Sequence, residues 1–400
     1  MVVRVFIFLS VFISLGSEAY AQEAGKHEKS PLSFETFLTP KISYRDASLQ
    51  LSGRIHLDTV AFDEDTLTLN DTSTIRRARL GTTGNITKRL SYKAELEFTG
   101  DETEETDLFL SYAVFENTYL KLGNFKTAFS LEEMASSNHN LFIERAAATD
   151  AFELGRGYGV ELDQYGEGWL LQLAVFDEEF GISQDDNEQL VLNARISGTP
   201  ICTQNSFLHL GVSYSFIDPE ISGDTFEFEA TDDNLLRVPS SLAVAVADVD
   251  SSQIFGLEAA YVTGPISFES EYYVTNINTD NGIDTTFDGG YIQAAYSLTG
   301  ESRAYAHKKG AFVGLKPFED FNPTKEQWGA VEVAARFDHL DFNDAGLNDG
   351  QQNTFTLGLN WYWSEGVRFL GNVLFVDTDD NISVSNDDPT IFLFRAQVAF

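Results

Sequence analysis

The sequence predicts an all-β protein: a transmembrane antiparallel β-barrel of sixteen strands with a long constriction loop folded inward. Apolar and polar side chains alternate with a period of two in segment after segment, which indicates strands with one apolar and one polar face. Short connections mostly alternate with long ones between these segments, and the chain begins with an export signal. Together these three features favour an outer-membrane barrel over a soluble fold.

The N-terminal region predicts a cleaved signal peptide over residues 1–21. Arg4 supplies a positive start, and the apolar stretch that follows is too short to span a bilayer. Ala19 and Ala21 are the small residues of a cleavage site. No later stretch approaches ~18 consecutive apolar residues, so no spanning helix is predicted. Residues 22–48 are polar and irregular, which predicts a short periplasmic lead-in.

Residues 49–400 form the predicted barrel, and its strands follow from the alternation. In the first strand Leu51 and Ile55 share the apolar face, whereas Arg54 and His56 lie on the polar face. The predicted strands are 49–60, 74–83, 90–98, 107–115, 118–126, 157–163, 169–176, 189–196, 206–216, 254–262, 266–274, 288–298, 328–338, 353–363, 366–376 and 391–400.

The connections indicate which kind of β fold this is. Most short connections alternate with long acidic ones, and residues 299–327 are the exception. An outer-membrane barrel has this arrangement, and sixteen strands enclose an aqueous channel. Because a bilayer offers no partner for backbone donors, a closed barrel is the available β solution. A secreted soluble sandwich or propeller is the alternative, but it needs neither an even strand count nor an outward terminal Phe400.

Composition excludes several functional classes. The chain has 62 acidic and 26 basic residues and a net charge of −36, which argues against a nucleic-acid partner because phosphates would repel it. The single Cys202 forms neither an intramolecular disulfide nor a cysteine-based metal site. The long acidic loops, which include residues 177–188 and 377–389, are expected to face solvent. Divalent cations that bridge their carboxylates are a hypothesis.

An enzymatic function has little support in the sequence. Paired carboxylates such as Glu95 and Glu97 resemble the acid and base of a glycoside hydrolase. Residues two apart on any strand, however, share a face at ~7 Å, so the spacing carries little information. No glycine-rich phosphate loop is present, and no cofactor is expected. An exported β-rich hydrolase or carbohydrate-binding protein remains the alternative of a different class.

Residues 127–156 form the longest early connection, and they neither alternate nor have low complexity. The segment contains aromatic residues such as Phe129 and Phe142. It either folds back into a wide barrel and narrows it, or it is an external loop. The inward interpretation is favoured because long structured loops are often functional.

Several ordered motifs resemble the phosphate-selective porin O and P family. They extend through residues 49–400 and include 53–58, 76–80, 120–125, 129–133, 290–294, 298–303, 328–332 and 359–362. The resemblance implies a trimeric porin in the outer membrane of a Gram-negative bacterium, with a pore constricted by loop 127–156. Arg54 and Arg145 match basic positions at the family's constriction. Asn138 stands where phosphate-binding members place a basic residue after a Ser-Ser pair.

Ten residues are predicted to line or narrow the pore. They are Arg54, Arg77, Arg79, Lys121, Glu132, Glu133, Asn138, Arg145, Arg368 and Arg395. The first, second, thirteenth, fifteenth and sixteenth strands bring most inward basic residues, Arg336 included, to one wall. We hypothesise that this wall faces acidic residues of the loop and creates a transverse field. The alternative is that each arginine pairs with a neighbouring carboxylate inside the barrel.

These observations predict passive diffusion of small hydrophilic solutes, with anions such as phosphate or polyphosphate favoured. A general or weakly cation-preferring pore is the alternative within transport, because the loops are acidic. The expected partners are these solutes, outer-membrane lipid and further copies of the chain in a homotrimer.

Overall fold

The computed structural model describes residues 32–35, 40–63, 71–100, 103–177, 189–203, 206–219, 224–230, 242–282, 284–344, 347–379 and 389–400. The predicted signal peptide lies outside these residues, as do most of the acidic loops 177–188 and 377–389. No helix in the described ranges is long and apolar enough to cross a membrane.

Sixteen strands form the wall of the barrel. They are β3 (Ala47–Asp63), β4 (Thr72–Asn85), β5 (Leu90–Glu97), β6 (Glu104–Phe115), β7 (Thr118–Lys126), β8 (Arg156–Gly166), β9 (Trp169–Asp177), β10 (Gln189–Cys202), β11 (Ser206–Pro219), β13 (Ala243–Thr263), β14 (Ile266–Thr279), β15 (Thr285–Ser297), β18 (Ala330–Asp344), β19 (Leu347–Ser364), β20 (Val367–Asp379) and β21 (Thr390–Ala399). Each pairs antiparallel with its neighbours, and β21 pairs with β3 to close the wall. The predicted sixteen-strand antiparallel barrel is confirmed.

The two faces of the wall differ in polarity, as the alternation predicts. On β3, Ile55 and Leu57 are about half exposed on the outside, whereas His56 and Asp58 are buried on the inside. The same pattern runs along β21, where Phe394 is outside and Arg395 inside. An apolar exterior and a polar interior are the arrangement that suits a barrel surrounded by lipid.

Five further strands within the described ranges lie outside the closed wall. They are β1 (Leu32–Glu35), β2 (Lys41–Tyr44), β12 (Asp224–Glu229), β16 (Arg303–Ala306) and β17 (Ala311–Leu315). β1 pairs with β2, which extends the start of β3, so part of the lead-in that the sequence predicted as irregular is in fact strand. β12 pairs with β13, and β16 pairs with β17 within the exceptional connection between β15 and β18.

The connection between β7 and β8, residues 127–155, contains two short helices. They are α1 (Leu131–Met134) and α2 (Ala147–Phe152). Most side chains of this loop are buried, and Ala128, Leu131 and Ala148 are fully so. A loop exposed to solvent would not bury its side chains to this degree.

An apolar cluster fills part of the barrel interior towards the end with the long loops. Its aromatic members include Phe152, Phe228, Tyr273, Phe287 and Phe342, all of them buried. Phe287 and Phe342 lie with ring centroids 5.0 Å apart, and Phe152 of α2 packs on Tyr273 at 6.0 Å. This packing fixes one side of loop 127–155 against β14, β15 and β18.

Candidate functional site

Inward-facing side chains from several strands hold loop 127–155. Arg54 on β3 donates to the hydroxyls of Ser136 and Ser137 at 3.1 Å each. Asn372 on β20 accepts from a backbone N–H of the loop at 2.7 Å. These contacts place the loop against the polar inner face of the wall, in agreement with the inward interpretation of the sequence.

Three arginines of the wall strands bind the backbone of the same loop. Arg336, Arg368 and Arg395 each donate to its carbonyls, at 2.9, 2.9 and 3.1 Å. All three side chains are almost completely buried. Hydrogen bonds from a charged donor contribute roughly 1.5–3 kcal/mol each, so this group is a strong attachment for the loop.

Glu271 on β14 holds the loop from another side of the barrel. Its carboxylate accepts from the backbone N–H groups of Leu131 and Glu132, at 2.6 and 2.9 Å, and from the Ser130 hydroxyl at 3.0 Å. The first N–H groups of α1 have no partner within the helix, so the carboxylate satisfies them. The loop is therefore attached to the wall on several sides.

A cluster of charged groups lies where the loop meets the space inside the barrel. Arg145 is 2.5 Å from Glu133 and 3.6 Å from Glu153, and Lys126 also pairs with Glu133. Burial alone would raise the pKa of Glu133, but Arg145 and Lys126 lower it below its ordinary value. Burial and the negative Glu133 raise the pKa of Glu153 well above its ordinary value. Burial likewise raises the pKa of Asp150.

A cavity of about 880 Å³ lies between loop 127–155 and the inner face of β3 to β9. Among the described residues, eleven basic and nine acidic side chains line it. The basic ones are Arg54, Arg76, Arg77, Arg79, Lys93, Lys121, Lys126, Arg145, Arg156, Lys308 and Lys309. The lining is thus slightly positive in a chain whose net charge is −36.

Most cavity cations are paired with a carboxylate. Arg54 lies 2.8 Å from Glu95, and Arg79 lies 2.6 Å from Glu97. Lys121 pairs with Glu161, a contact that the alternation alone did not identify. The alternative that arginines pair with neighbouring carboxylates therefore describes these residues correctly.

Arg77 differs from these paired cations. It lines the cavity and has no hydrogen bond or ion pair to any described residue. The charges that act on it most strongly are those of Arg76, Arg79, Arg145 and Arg395. A half-buried guanidinium among other guanidinium groups is an attractive position for an anion.

The structure corrects the predicted basic wall. Arg336, Arg368 and Arg395 do not line the cavity, because loop 127–155 covers them and takes up their hydrogen bonds. They touch the loop and do not face it across open space, so that part of the transverse-field hypothesis is wrong. The cations at the cavity come from β3 to β8, from the loop and from the turn between β16 and β17.

The remaining predicted residues belong to the loop and serve mainly its structure. Glu132 accepts from the Thr149 hydroxyl at 2.9 Å and lies 3.3 Å from Arg336. The Asn138 side-chain oxygen lies 3.0 Å from Nε2 of His56. The side-chain amide of Asn138 therefore contacts the inner face of β3.

Sequence reasoning missed Lys308 and Lys309, which line the cavity from the turn of the β16–β17 hairpin. Arg195 of β10 donates to the carbonyl of Gly310 in this turn at 2.8 Å, and His209 lies 2.7 Å from the Tyr305 hydroxyl. The exceptional length of connection 299–327 was the one signal that could have pointed to it.

The comparisons with known proteins agree with this architecture. The family described as phosphate-selective porin O and P matches residues 49–400. The chain belongs to this family. It is a porin of the Gram-negative outer membrane, and its family and barrel indicate a channel and not an enzyme.

Two relatives cover most of this porin. A Caulobacter vibrioides protein described as uncharacterized is 29% identical over 365 residues, which make up 88% of this chain and 73% of that protein. Porin O of Pseudomonas aeruginosa is 27% identical over 406 residues, with 89% of each chain covered.

Solved structures share the fold at low sequence identity. An anion-selective porin from Comamonas acidovorans has a TM-score of 0.59 at 12% identity, covering 89% of this porin and all of that chain. The trimer form of OmpT from Vibrio cholerae has a TM-score of 0.59 at 10% identity, with the same coverage. At such identities the likeness establishes the barrel fold alone.

Proposed function

We propose that this porin passes small hydrophilic solutes with a preference for anions, inorganic phosphate among them. The observation that supports it best is Arg77, which has no hydrogen bond or ion pair to any described residue and lies beside other arginines. Among the residues that the structure describes, more basic than acidic side chains line its cavity. A wall of fixed charge sets ion preference through its local field and through hydrogen bonds to the ion. The cavity is the passage in this proposal, and loop 127–155 is its constriction.

Two similar proteins support the same preference. One relative is Porin O, in a family described as phosphate-selective, and one similar structure is an anion-selective porin. The similar OmpT structure is a trimer form, and we propose a homotrimer here as well. The proposal also includes removal of residues 1–21 on export, a periplasmic lead-in up to residue 48 and contact with outer-membrane lipid.

A general or weakly cation-preferring pore is the second candidate. The net charge of −36 favours it, because summed surface charge changes the local concentration of ions at the mouth of a channel. The two candidates differ in which charges dominate: those of the cavity or those of the whole chain.

The test is a reversal potential in a planar bilayer under a KCl gradient, repeated with phosphate added. We expect anion preference and a block of the chloride current by phosphate. Arg77→Gln removes the unpaired charge and should weaken both effects several-fold. Lys88→Gln is the matched control, because Lys88 forms an exposed ion pair with Asp46 away from the cavity.

Either of two results would contradict the proposal. Cation preference without phosphate block in the native porin would support the second candidate. Equal behaviour of Arg77→Gln and Lys88→Gln would remove Arg77 from the passage.

A further inference from the structure

The exceptional connection between β15 and β18 has two parts with different surroundings. Its first part is the β16–β17 hairpin, which contacts inward residues such as Arg195. Its second part, residues 316–329, is called the strap here and runs along the outside of the wall. The backbone N–H of Phe321 donates to the carbonyl of Trp363 at 2.7 Å, and the Trp361 indole donates to the carbonyl of Trp328 at 2.8 Å.

Trp361 and Trp363 belong to the outer face of β19, so the strap lies outside the barrel. Residues of β19 alternate, and Leu357 and Leu359, which share their parity, are about half exposed. Tyr362 between the two tryptophans is buried. The strap therefore covers the outer face at the end of the barrel where the short turns lie.

Aromatic rings of the strap and wall form one cluster. Phe321 stacks on Trp363 with centroids 4.7 Å apart and meets Trp361 edge-on at 5.4 Å. Trp328 lies 5.9 Å from Phe321 and Phe369 lies 5.0 Å from Trp363. Ring pairs of this kind add to the stability that their buried area gives, so the cluster fixes the strap to the wall.

The strap ends with a close backbone approach to β19. Gly329 has a φ of 69°, and a Cβ at this position would lie 2.1 Å from the carbonyl oxygen of Tyr362. Only glycine fits here without displacing the backbone. The path of the strap is consequently well defined, although Trp328 beside it is still 61% exposed.

We propose that the strap is a membrane-interface anchor that binds zwitterionic phospholipid of the periplasmic leaflet. Its exposed rings continue the outward apolar surface of β18 to β20 to the level at which the strands end. Tryptophan is favoured at this depth because its ring is apolar and its N–H is polar. Short turns mark the periplasmic end of an outer-membrane barrel, which identifies the leaflet.

The charges around the strap fit headgroups that carry both signs. Lys316 and Glu365 form an exposed ion pair beside it, and the other exposed charges of the strap are Lys325, Glu319, Asp320 and Glu326. The core of a contact between two protein copies is depleted of charged residues, which this surface is not. The inference depends on the location of the barrel in the outer membrane and not on anion preference.

The test places a spin label on the strap of the intact porin in phospholipid nanodiscs. Cys202 is first replaced by serine, and single labels are then attached in the variants Trp328→Cys, Lys88→Cys and Leu357→Cys. The measurement is the ratio of collision rates with oxygen, which enters lipid, and with a water-soluble nickel complex. Leu357 is the reference for the lipid-facing wall, and Lys88, in the exposed turn between β4 and β5, is the reference for water.

We expect the ratio at position 328 to be several-fold higher than at 88 and below that at 357, as at the headgroup boundary. A ratio equal to that at 88 would overturn the proposal, because the strap would then lie in water. A label shielded from both reagents, with dipolar broadening between labels, would also overturn it and would indicate contact with a second copy.

Discussion

The arginines inside the barrel have the same position in the sequence pattern but different roles. Arg395 is held by both carboxylate oxygens of Asp58, at 2.7 and 2.5 Å, and Arg195 is held in the same way by Glu258. Arg77 has no such partner among the residues that the structure describes. A guanidinium that already binds both oxygens of a carboxylate has few donors left for a solute. The carboxylate partner therefore decides whether an arginine can bind a solute, and the alternation of the sequence does not show that partner.

Glu153 should make the ion preference depend on pH. Its raised pKa keeps the carboxyl neutral above its ordinary value of about 4.3. As pH rises the proton leaves, a negative charge appears at the cavity, and anion preference falls. We expect this fall in reversal potentials measured at a series of pH values, at a pH well above the ordinary pKa of a glutamate carboxyl.

The variant Glu153→Gln should show a smaller change with pH. Asp150, whose pKa is also raised, is expected to keep part of the dependence. Arg145 and Glu133 remain charged in both proteins at these pH values, because the shifts in their own pKa values stabilise the charged forms. Glu116→Gln, in an exposed two-residue turn, is the control. A profile identical to the native one would show that Glu153 does not act on the passage.

At the scale of elements, loop 127–155 is the part on which the proposed passage depends. Its backbone carbonyls are held by Arg336, Arg368 and Arg395, and its first helix is held by Glu271. Inside a wide barrel a loop without such contacts has no fixed position. The side chains that the sequence assigned to the pore wall therefore act here by positioning another element.

Replacing Arg368 should loosen this loop. Arg368→Met keeps the apolar stem but removes the hydrogen bond to the carbonyl of Asn140, a loss of about 1.5–3 kcal/mol. We expect higher and noisier single-channel conductance with weaker ion preference. Arg336, Arg395 and the other side chains that still hold the loop limit the change. Arg89→Met, on an exposed turn, should leave conductance unchanged. Native conductance in folded Arg368→Met would argue against the loop as the constriction.

At the scale of the whole molecule, the wall has two faces in different media. Outward Leu357 and inward Thr356 are neighbours in sequence, and only the former is exposed. Stability of the barrel in lipid depends on keeping charge off the outer face, because lipid cannot solvate it.

Leu357→Arg should therefore lower the free energy of unfolding in phospholipid vesicles by about 2–4 kcal/mol. The measurement is urea-induced unfolding followed by the heat-modifiable band on a gel. Glu167→Arg, in an exposed turn at the rim, should cost little. Equal stability of the two variants would mean that position 357 does not face lipid.

The wall was predictable because a closed barrel repeats one local rule, and every predicted strand lies within or overlaps a strand of the structure. The wall strands extend further than predicted, as in β13, because its first part pairs with β12 and packs Val244, Val246 and Val249 in the buried apolar cluster, a long-range contact that local alternation does not show. The site was less predictable. The covering of Arg368 depends on where a distant loop lies, and Lys308 enters the cavity on a hairpin whose contacts with the wall are long-range.

The buried aromatic cluster inside the barrel has a consequence for how such channels change over generations. The circumference is set by sixteen strands, but the open cross-section is what the cluster and loop 127–155 leave over. A smaller residue at Phe152 or Phe228 would widen the open cross-section and so change which solutes pass, without changing the hydrogen-bonded wall. Adaptation to a new nutrient supply can thus proceed through substitutions inside the barrel while the strand wall stays the same.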